Sequence, residues 1–253
     1  MQVDNIIRVF FDPHIIASVL PQLLSHGLVN TLVLTVFAVV IGLLLGLVIA
    51  MMLLARTRWL RWPARVFVDV FRGLPGVLTI FIVGLGLPLA GLDVFGRNTY
   101  PYAVVAIGII ESAYIGEIFR SGIQSVAAGQ MEAARSLGLS YWAAMRHVRI
   151  PQGIRRVLPA LTGQIIITIK ETALVYVLGL TATQQELFSL SQSGSSQYAS
   201  MTPVVVAGVI YLALTIPLTH FVNWLDRRLQ RGPAPTPASD AERPAPQAVI
   251  AEG

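Results

Sequence analysis

The chain has 253 residues, of which 55% are hydrophobic and only 12% are charged. This balance excludes an ordinary soluble domain and indicates an integral membrane protein. The chain contains no cysteine, which excludes disulfides and thiolate metal sites, and its four histidines are scattered, which argues against a metal centre. The net charge of +5 does not require a nucleic-acid partner, because the basic residues are distributed as in a membrane protein.

The N-terminal segment predicts a helix on the outer face of the membrane. Apolar residues at positions 15, 16, 19, 20, 23 and 24 form one helical stripe. Asp12 is placed to cap this helix, Pro13 suits its first turn, and Pro21 is a candidate break. We therefore predict that residues 1–26 form an interfacial helix leading into the first membrane span.

Five segments are apolar and long enough to cross a bilayer, which takes about 20 residues. They cover residues 28–54, 66–88, 101–119, 156–182 and 203–225. In the first of them, Gly42 and Gly46 have the spacing that allows close contact between membrane helices. The sequence thus predicts an all-α membrane domain over 27–231, followed by a disordered cytoplasmic tail over 232–253 that is rich in Pro and Ala.

Arginines are distributed unevenly between the two sides of the predicted spans. They follow the first span, occupy the connection between the third and fourth spans, and follow the fifth, whereas only Arg8 and Arg97 fall on the opposite side. The positive-inside rule then places the N-terminus outside and the C-terminus in the cytoplasm. Residues 183–202 lack Lys and Arg and are polar, so we expect them to form a flexible loop on the outer face.

The stretch from Glu132 to Pro151 predicts two short helices joined by a turn. Glu132 is expected in the first turn of the first helix, Gly138 can adopt the left-handed conformation that ends it, and Ser140 can cap the second. Pro151 is expected to stop the second helix or to redirect the chain. The predicted exposed surface of this small hairpin consists of Ala133, Ala134, Leu137, Tyr141 and Trp142.

Four ionisable residues in the predicted spans are candidates for function, because charge inside a bilayer is costly. They are Arg72, Glu111, Lys170 and Glu171. One interpretation is an ion pair that fixes helix register, for example Lys170 with Glu111 or Glu171 with Arg72. The other is a polar pathway for a charged solute, and the sequence leaves both open.

A further pair of charges lies near the predicted cytoplasmic end of the third span. Glu117 and Arg120 are three residues apart, so they share one helix face and are predicted to pair. The pair would serve as a structural element or as part of a gate.

The hairpin carries a specific sequence pattern. Glu132-Ala133-Ala134 is followed after three residues by Gly138, and after nine more by Val148-Arg149-Ile150-Pro151. This spacing resembles the EAA loop of ABC-importer permeases. In that family the loop is a coupling helix pair that docks into a cleft of the ATPase subunit, which implies an ATPase-coupling role here for residues 129–151. The residues so implicated are Glu132, Ala133, Ala134, Gly138, Tyr141 and Trp142. A hairpin lying on the membrane surface is the alternative.

Three further stretches resemble the polar amino acid branch of these permeases. They are residues 71–76 (FRGLPG), 113–138 (AYIGEIFRSGIQSVAAGQMEAARSLG) and 150–174 (IPQGIRRVLPALTGQIIITIKETAL). Leu74, Gly76 and Ala173 depart from the branch pattern, and Ala127 replaces its usual proline. The first three substitutions lie where that branch faces its pathway, so they bear on the identity of the solute.

The resemblance implies the permease fold of a type I ABC importer, with five transmembrane helices and a short cytoplasmic coupling helix pair. It also implies a dimer with a second permease copy or a sister permease, two ATPase subunits that bind ATP and Mg, and an external solute-binding protein, all in a bacterial inner membrane. The chain itself is expected to be no enzyme and to hold no cofactor, since it lacks the P-loop pattern G-x-x-x-x-G-K-[ST].

An alternative from another class is an ion-coupled secondary transporter or channel that uses Lys170 and Glu171 as its relay. Such transporters often contain internal repeats. None is visible in this sequence, and that class leaves the spacing of the hairpin unexplained.

Overall fold

The structure is a computed structural model that describes residues 2–96 and 98–230. All regular elements in these residues are helical: α1 (Gln2–Phe10), α2 (Pro13–Gln22), α3 (Leu28–Leu54), α4 (Arg58–Gly73), α5 (Gly76–Phe81), α6 (Leu87–Leu89), α7 (Thr99–Gln124), α8 (Ala128–Ser136), α9 (Tyr141–Ala144), α10 (Ile150–Glu171), α11 (Leu187–Tyr198) and α12 (Thr202–Gln230). The predicted tail over 232–253 and the predicted outer position of Arg97 lie outside the described residues.

The predicted membrane spans are present as helices. Within the described residues, four helical stretches are long and apolar enough to cross a membrane, and a bent helix pair, Arg58–Gly73 with Gly76–Leu89, makes a fifth if it is counted as one span. The four stretches are Asn5–Leu54, Thr99–Gln124, Tyr141–Leu178 and Thr202–Arg228. The number of spans predicted from hydropathy therefore agrees with the structure, whereas several boundaries differ.

Helix α2 has the predicted cap at Asp12, but it does not end before the first span. The carboxylate of Asp12 accepts hydrogen bonds from the backbone N–H groups of His14 (2.9 Å) and Ile15 (3.4 Å), which caps α2. Pro21 does not break the helix, because the chain continues through a π-helical turn at Leu23–Gly27 directly into α3. The helix continues past Pro21 and forgoes only the one backbone hydrogen bond that proline has no N–H to donate.

The core of the fold is the contact between α3 and α7, and it depends on glycines from both helices. A Cβ atom on Gly42 would lie 2.7 Å from the Glu111 Cβ atom, and one on Gly46 would lie 2.9 Å from the Ile115 Cγ2 atom. From the other side, a Cβ atom on Gly108 would lie 2.6 Å from the Ile41 Cγ2 atom. The close approach predicted from the spacing of Gly42 and Gly46 is confirmed.

We expect Gly46→Leu to destabilise the folded protein by about 3 kcal/mol or more, because a large side chain cannot enter the contact without separating α3 from α7. The measurement is the thermal unfolding midpoint of the purified chain in detergent. Gly208→Leu is the matched control, since Gly208 is an exposed glycine on α12 with open space around it. An equal loss of stability in both variants would contradict the packing role of Gly46.

The second predicted span, residues 66–88, is not one straight helix. The chain turns by 107° between α4 and the helical residues 76–89. The cause is Leu74-Pro75: Leu74 is extended (φ −80°, ψ 140°), as a residue before proline prefers to be, and Pro75 has no N–H to continue the helix. Arg72 therefore lies in the last turn of α4, beside the bend, and not inside a continuous span.

The predicted fourth span, 156–182, begins earlier and ends earlier than its hydropathy suggests. Helical structure runs from Tyr141 through a π-helical turn at Met145–Arg149 into α10, so Pro151 stops no helix. Pro151 occupies the first turn of α10, where a missing N–H is tolerated. After Glu171 the chain continues as a 3₁₀ helix to Leu178, and Gly179 with φ +65° ends it.

The predicted flexible outer loop, 183–202, contains α11, a helix of 12 residues. Its start is fixed by Glu186, whose buried carboxylate accepts hydrogen bonds from the backbone N–H groups of Phe188 and Ser189 (both 2.6 Å) and from the Tyr211 hydroxyl on α12 (3.2 Å). Burial raises the pKa of Glu186 above its usual range even though these donors oppose the shift. Tertiary contacts thus stabilise a helix that the polar composition did not predict.

Candidate functional site: hairpin and intramembrane carboxylates

The hairpin between α7 and α10 is formed by α8 and the start of α9. Gly138 has φ +88°, and its N–H donates to the carbonyl of Arg135 (3.0 Å), while the N–H of Leu139 donates to the carbonyl of Ala134 (3.2 Å). The Ser140 hydroxyl accepts from the N–H of Ala143 (3.2 Å). The predicted turn at Gly138 and the predicted cap at Ser140 are confirmed.

Two details of the predicted hairpin were wrong. Helix α8 begins at Ala128, so Glu132 lies in its second turn and not in its first. Ala134 is not exposed, because it is buried with Met131 and Ala144 in a small core inside the hairpin. This core also explains why so short a hairpin holds its shape.

The tip of the hairpin is apolar and exposed. Leu137 is 86% exposed and Trp142 is 78% exposed. Ala133, four residues before Leu137, is exposed as well. The Trp142 ring packs edge-on against Tyr141, with ring centroids 5.9 Å apart. An exposed leucine and tryptophan on a well-packed turn form a surface typical of protein–protein contact.

The hairpin is attached firmly to two of the membrane-crossing helices. The Arg149 Nε atom donates to the carbonyl of Ile123 (3.1 Å), and Arg156 donates to the carbonyl of Ser125. Gly122 and Gly153 bring the end of α7 and the start of α10 together, since a Cβ atom on Gly153 would lie 3.2 Å from the Ile123 Cα atom. A displacement of the hairpin must therefore move α7 and α10 with it.

The intramembrane carboxylates lie together between the same two helices. Glu111, in the middle of α7, is completely buried, and its carboxylate accepts a hydrogen bond from the Gln164 Nε2 atom of α10 (3.4 Å). Glu171, at the C-terminal end of α10, lies close enough to this carboxyl group for the two side chains to interact. One oxygen of Glu111 and one of Glu171 are buried and have no hydrogen-bond partner among the described residues.

Two neighbours of this site escaped the sequence analysis. Gln164, Thr168 and Glu171 follow each other at the spacing i, i+4, i+7, so they form one polar stripe along the C-terminal half of α10. Gln164 and Thr168 are buried. The helical spacing of Gln164 and Thr168 with Glu171 is the sequence pattern that indicates their common face, although neither residue is charged.

Neither of the two ion pairs considered from the sequence is present in the described part of the chain. Lys170 is exposed and points away from the polar stripe, because adjacent helix residues point about 100° apart. Arg72 does not pair with Glu171 and instead lies over the ring of Tyr114, with its guanidinium carbon 5.3 Å from the ring centroid. The structure therefore leaves Glu111 without a cationic partner in residues 2–96 and 98–230.

The predicted pairing of Glu117 with Arg120, near the C-terminal end of α7, is confirmed. The Arg120 guanidinium forms a two-pronged contact with Glu117, in which the Nε atom donates to Oε2 at 2.8 Å. A further N–H of Arg120 donates to the Gln124 side chain. The contact lies within one helix and is partly exposed, so it stiffens the end of α7 that leads to the hairpin.

Comparison with known proteins identifies relatives of most of the chain. The family described as "Binding-protein-dependent transport system inner membrane component" matches residues 17–231. The probable glutamine ABC transporter permease protein GlnM of Bacillus subtilis is 37% identical over 182 residues, which cover 72% of this chain and 82% of the relative. The glutamate/aspartate import permease protein GltK of Escherichia coli O6:H1 is 35% identical over 223 residues, 86% of this chain and 98% of the relative.

Solved structures agree with these relatives. The crystal structure of an amino acid ABC transporter with histidines contains a chain with a TM-score of 0.78 and 35% identity, covering 86% of this chain and 98% of that one. A chain of an inward-facing methionine ABC transporter has a TM-score of 0.69 at 17% identity, covering 83% of this chain and 99% of that one, and so shares the fold.

Proposed function

We propose that this chain, which belongs to the family of inner-membrane components of binding-protein-dependent transport systems, is the permease subunit of an ATP-driven importer of polar or charged amino acids. The observation that carries the proposal is the juxtaposition of two features on α7 and α10. These helices hold a buried polar site at their centre and an exposed apolar hairpin at their cytoplasmic ends.

The hairpin is the proposed docking surface for an ATPase subunit. Leu137 and Trp142 would enter a cleft of the ATPase, with Ala133, Glu132 and Tyr141 beside them. Gly138 fixes the angle of the turn, and Ala134 supports it from inside. ATP and Mg²⁺ would be bound by the ATPase, because this sequence has no P-loop pattern.

The polar stripe of α10 and Glu111 of α7 form the proposed solute site. The relatives are named for glutamine and for glutamate and aspartate, and a structural relative was solved with histidines. These amino acids share an α-ammonium group and differ in side-chain charge. The buried carboxylate of Glu111 and the half-buried one of Glu171 suit that shared ammonium group, since neither forms an ion pair with Lys170 or Arg72 in the described residues.

Transport would then proceed by alternating access. Closure of two ATPases on ATP would draw together the hairpins of this chain and of a second permease copy or sister permease. Because the hairpin is bound to α7 and α10, the motion would reach Glu111 and Gln164 directly. An external binding protein would deliver the amino acid, with the N-terminus outside and the arginine-rich hairpin in the cytoplasm.

The decisive experiment is amino acid uptake into proteoliposomes that contain the complete assembly. We expect uptake to require the ATPase subunits and the binding protein. We also expect it to require ATP in the compartment that the hairpin faces. The chain alone should neither bind ATP nor transport amino acids under a proton or sodium gradient. Gradient-driven uptake by the chain alone would support the secondary-transporter alternative, which no comparison favours, and would contradict the proposal.

A further inference from the structure

A cavity of about 1010 Å³ lies beside the hairpin and is unrelated to the carboxylate site. Three arginines from different parts of the chain line it: Arg56 after α3, Arg135 on α8 and Arg149 before α10. No acidic side chain is among its lining residues, and none of these arginines forms an ion pair within the described part of the chain. The cavity therefore concentrates positive charge that lacks a counterion in residues 2–96 and 98–230.

Apart from Gln124, the remaining wall of the cavity is apolar or aromatic. It includes Tyr141 and Trp142 of the hairpin and continues into an open face of α3. Met51 and Leu54 line the cavity. Met51 also ends an exposed stripe with Leu44 (65% exposed) and Leu47 (47% exposed) at helical spacing. An anion bound by the arginines would thus have an apolar track leading away from it along a membrane-crossing helix.

Exposed tryptophans indicate that this cavity lies at the level of the membrane surface. Trp59 is 89% exposed and Trp62 is 69% exposed, and both lie in the first turns of α4, directly after Arg56. Arginines alternate with them at Arg58 and Arg61. Tryptophan and arginine in this arrangement are typical of the membrane–water interface, where the headgroups of lipids lie.

We propose that the cavity binds one anionic phospholipid of the cytoplasmic leaflet. Its headgroup phosphate would contact Arg56, Arg135 and Arg149, and an acyl chain would lie along Leu47 and Leu44 of α3. The lipid would also touch Tyr141, over which Arg56 lies at 5.2 Å from the ring centroid. A bound lipid would thereby join the end of α3 to the base of the hairpin.

The test measures lipids retained by the purified full-length chain in native mass spectrometry. Phosphatidylglycerol and phosphatidylcholine with identical acyl chains are offered together. We expect the wild-type chain to retain phosphatidylglycerol preferentially, and the double variant Arg56→Gln, Arg135→Gln to bind it about tenfold more weakly. Equal retention of the two lipids by the wild-type chain would overturn the proposal.

The matched control is the double variant Arg146→Gln, Arg155→Gln, which removes the same charge from exposed positions of the same cytoplasmic region but outside the cavity. It should retain phosphatidylglycerol as the wild-type chain does, and an equal loss in both double variants would overturn the specific site. The single variant Arg135→Gln should fold normally, because this exposed side chain has no ion-pair partner in the described residues. Weaker binding of phosphatidylglycerol by this folded variant would show that the loss comes from the site and not from misfolding.

Two further arms separate the lipid from other occupants. Excess inorganic phosphate should leave the bound phosphatidylglycerol in place, and its displacement would identify a site for free anions and overturn the proposal. The assembled complex with its ATPase should keep the lipid as well. Loss of the lipid on assembly would show that the cavity is part of the ATPase interface, which also contradicts the proposal.

Discussion

Replacement of Leu137 by aspartate is expected to release the ATPase subunits from an otherwise folded permease. Leu137 is 86% exposed at the tip of the hairpin, so the substitution costs little in the isolated chain. In the complex it would place a charge in an apolar cleft, where one central residue is worth about 2 kcal/mol or more. We expect the affinity for the ATPase to fall roughly thirtyfold or more, as measured by titration of the detergent-solubilised permease with purified ATPase.

The matched control for Leu137→Asp is Leu89→Asp. Leu89 is 88% exposed, and it lies beyond the opposite end of α7 from the hairpin. Its substitution should leave the affinity for the ATPase unchanged. If Leu137→Asp bound the ATPase as tightly as the control, the hairpin would not be the docking surface.

Glu111→Gln is expected to lower amino acid uptake about tenfold or more while the complex still assembles. The substitution keeps the shape of the side chain and its contact with Gln164 but removes the charge that would attract an ammonium group. Hydrogen bonds to charged groups contribute about 1.5–3 kcal/mol, which corresponds to roughly tenfold to a hundredfold in binding. ATP-driven uptake and complex assembly are measured on the same preparation.

Asp69→Asn is the control for Glu111→Gln, because it removes an exposed carboxylate from α4, outside the polar site. It should transport amino acids normally. Normal uptake by Glu111→Gln would exclude a pathway role for Glu111, and failure of this variant to assemble would assign the residue to the scaffold. Glu171→Gln should reproduce the uptake defect, since both carboxylates belong to one site.

Much of this site was predictable because it depends on local chemistry. Gly138 adopts positive φ and Ser140 caps the next helix because both roles are intrinsic to those residues and their neighbours. Glu117 and Arg120 pair because their spacing on one helix leaves them adjacent. The close contact at Gly42 and Gly46 followed from side-chain size alone.

What the sequence did not reveal depends on contacts between distant segments. The proline at position 75 is a local indication of the bend, but the segment around it is apolar throughout, so its hydropathy predicts a single span. Helix α11 is stabilised by burial of Glu186 against Tyr211, 25 residues away, which composition cannot predict. The partner of Glu111 depends on how α10 is rotated against α7, and packing across the helix pair determines that rotation.

The central claim, that the hairpin docks an ATPase, can be tested through the absence of cysteine from this chain. Ala133→Cys introduces a single thiol at an exposed position of α8, and Ala90→Cys introduces one at an exposed position beyond the far end of α7. The measurement is the rate of maleimide labelling of each variant, alone and assembled with its ATPase. We predict that assembly slows labelling at residue 133 by about tenfold or more, as expected for a position buried in an interface, and leaves residue 90 unchanged. Equal labelling rates at residue 133 in the free and assembled permease would contradict the account.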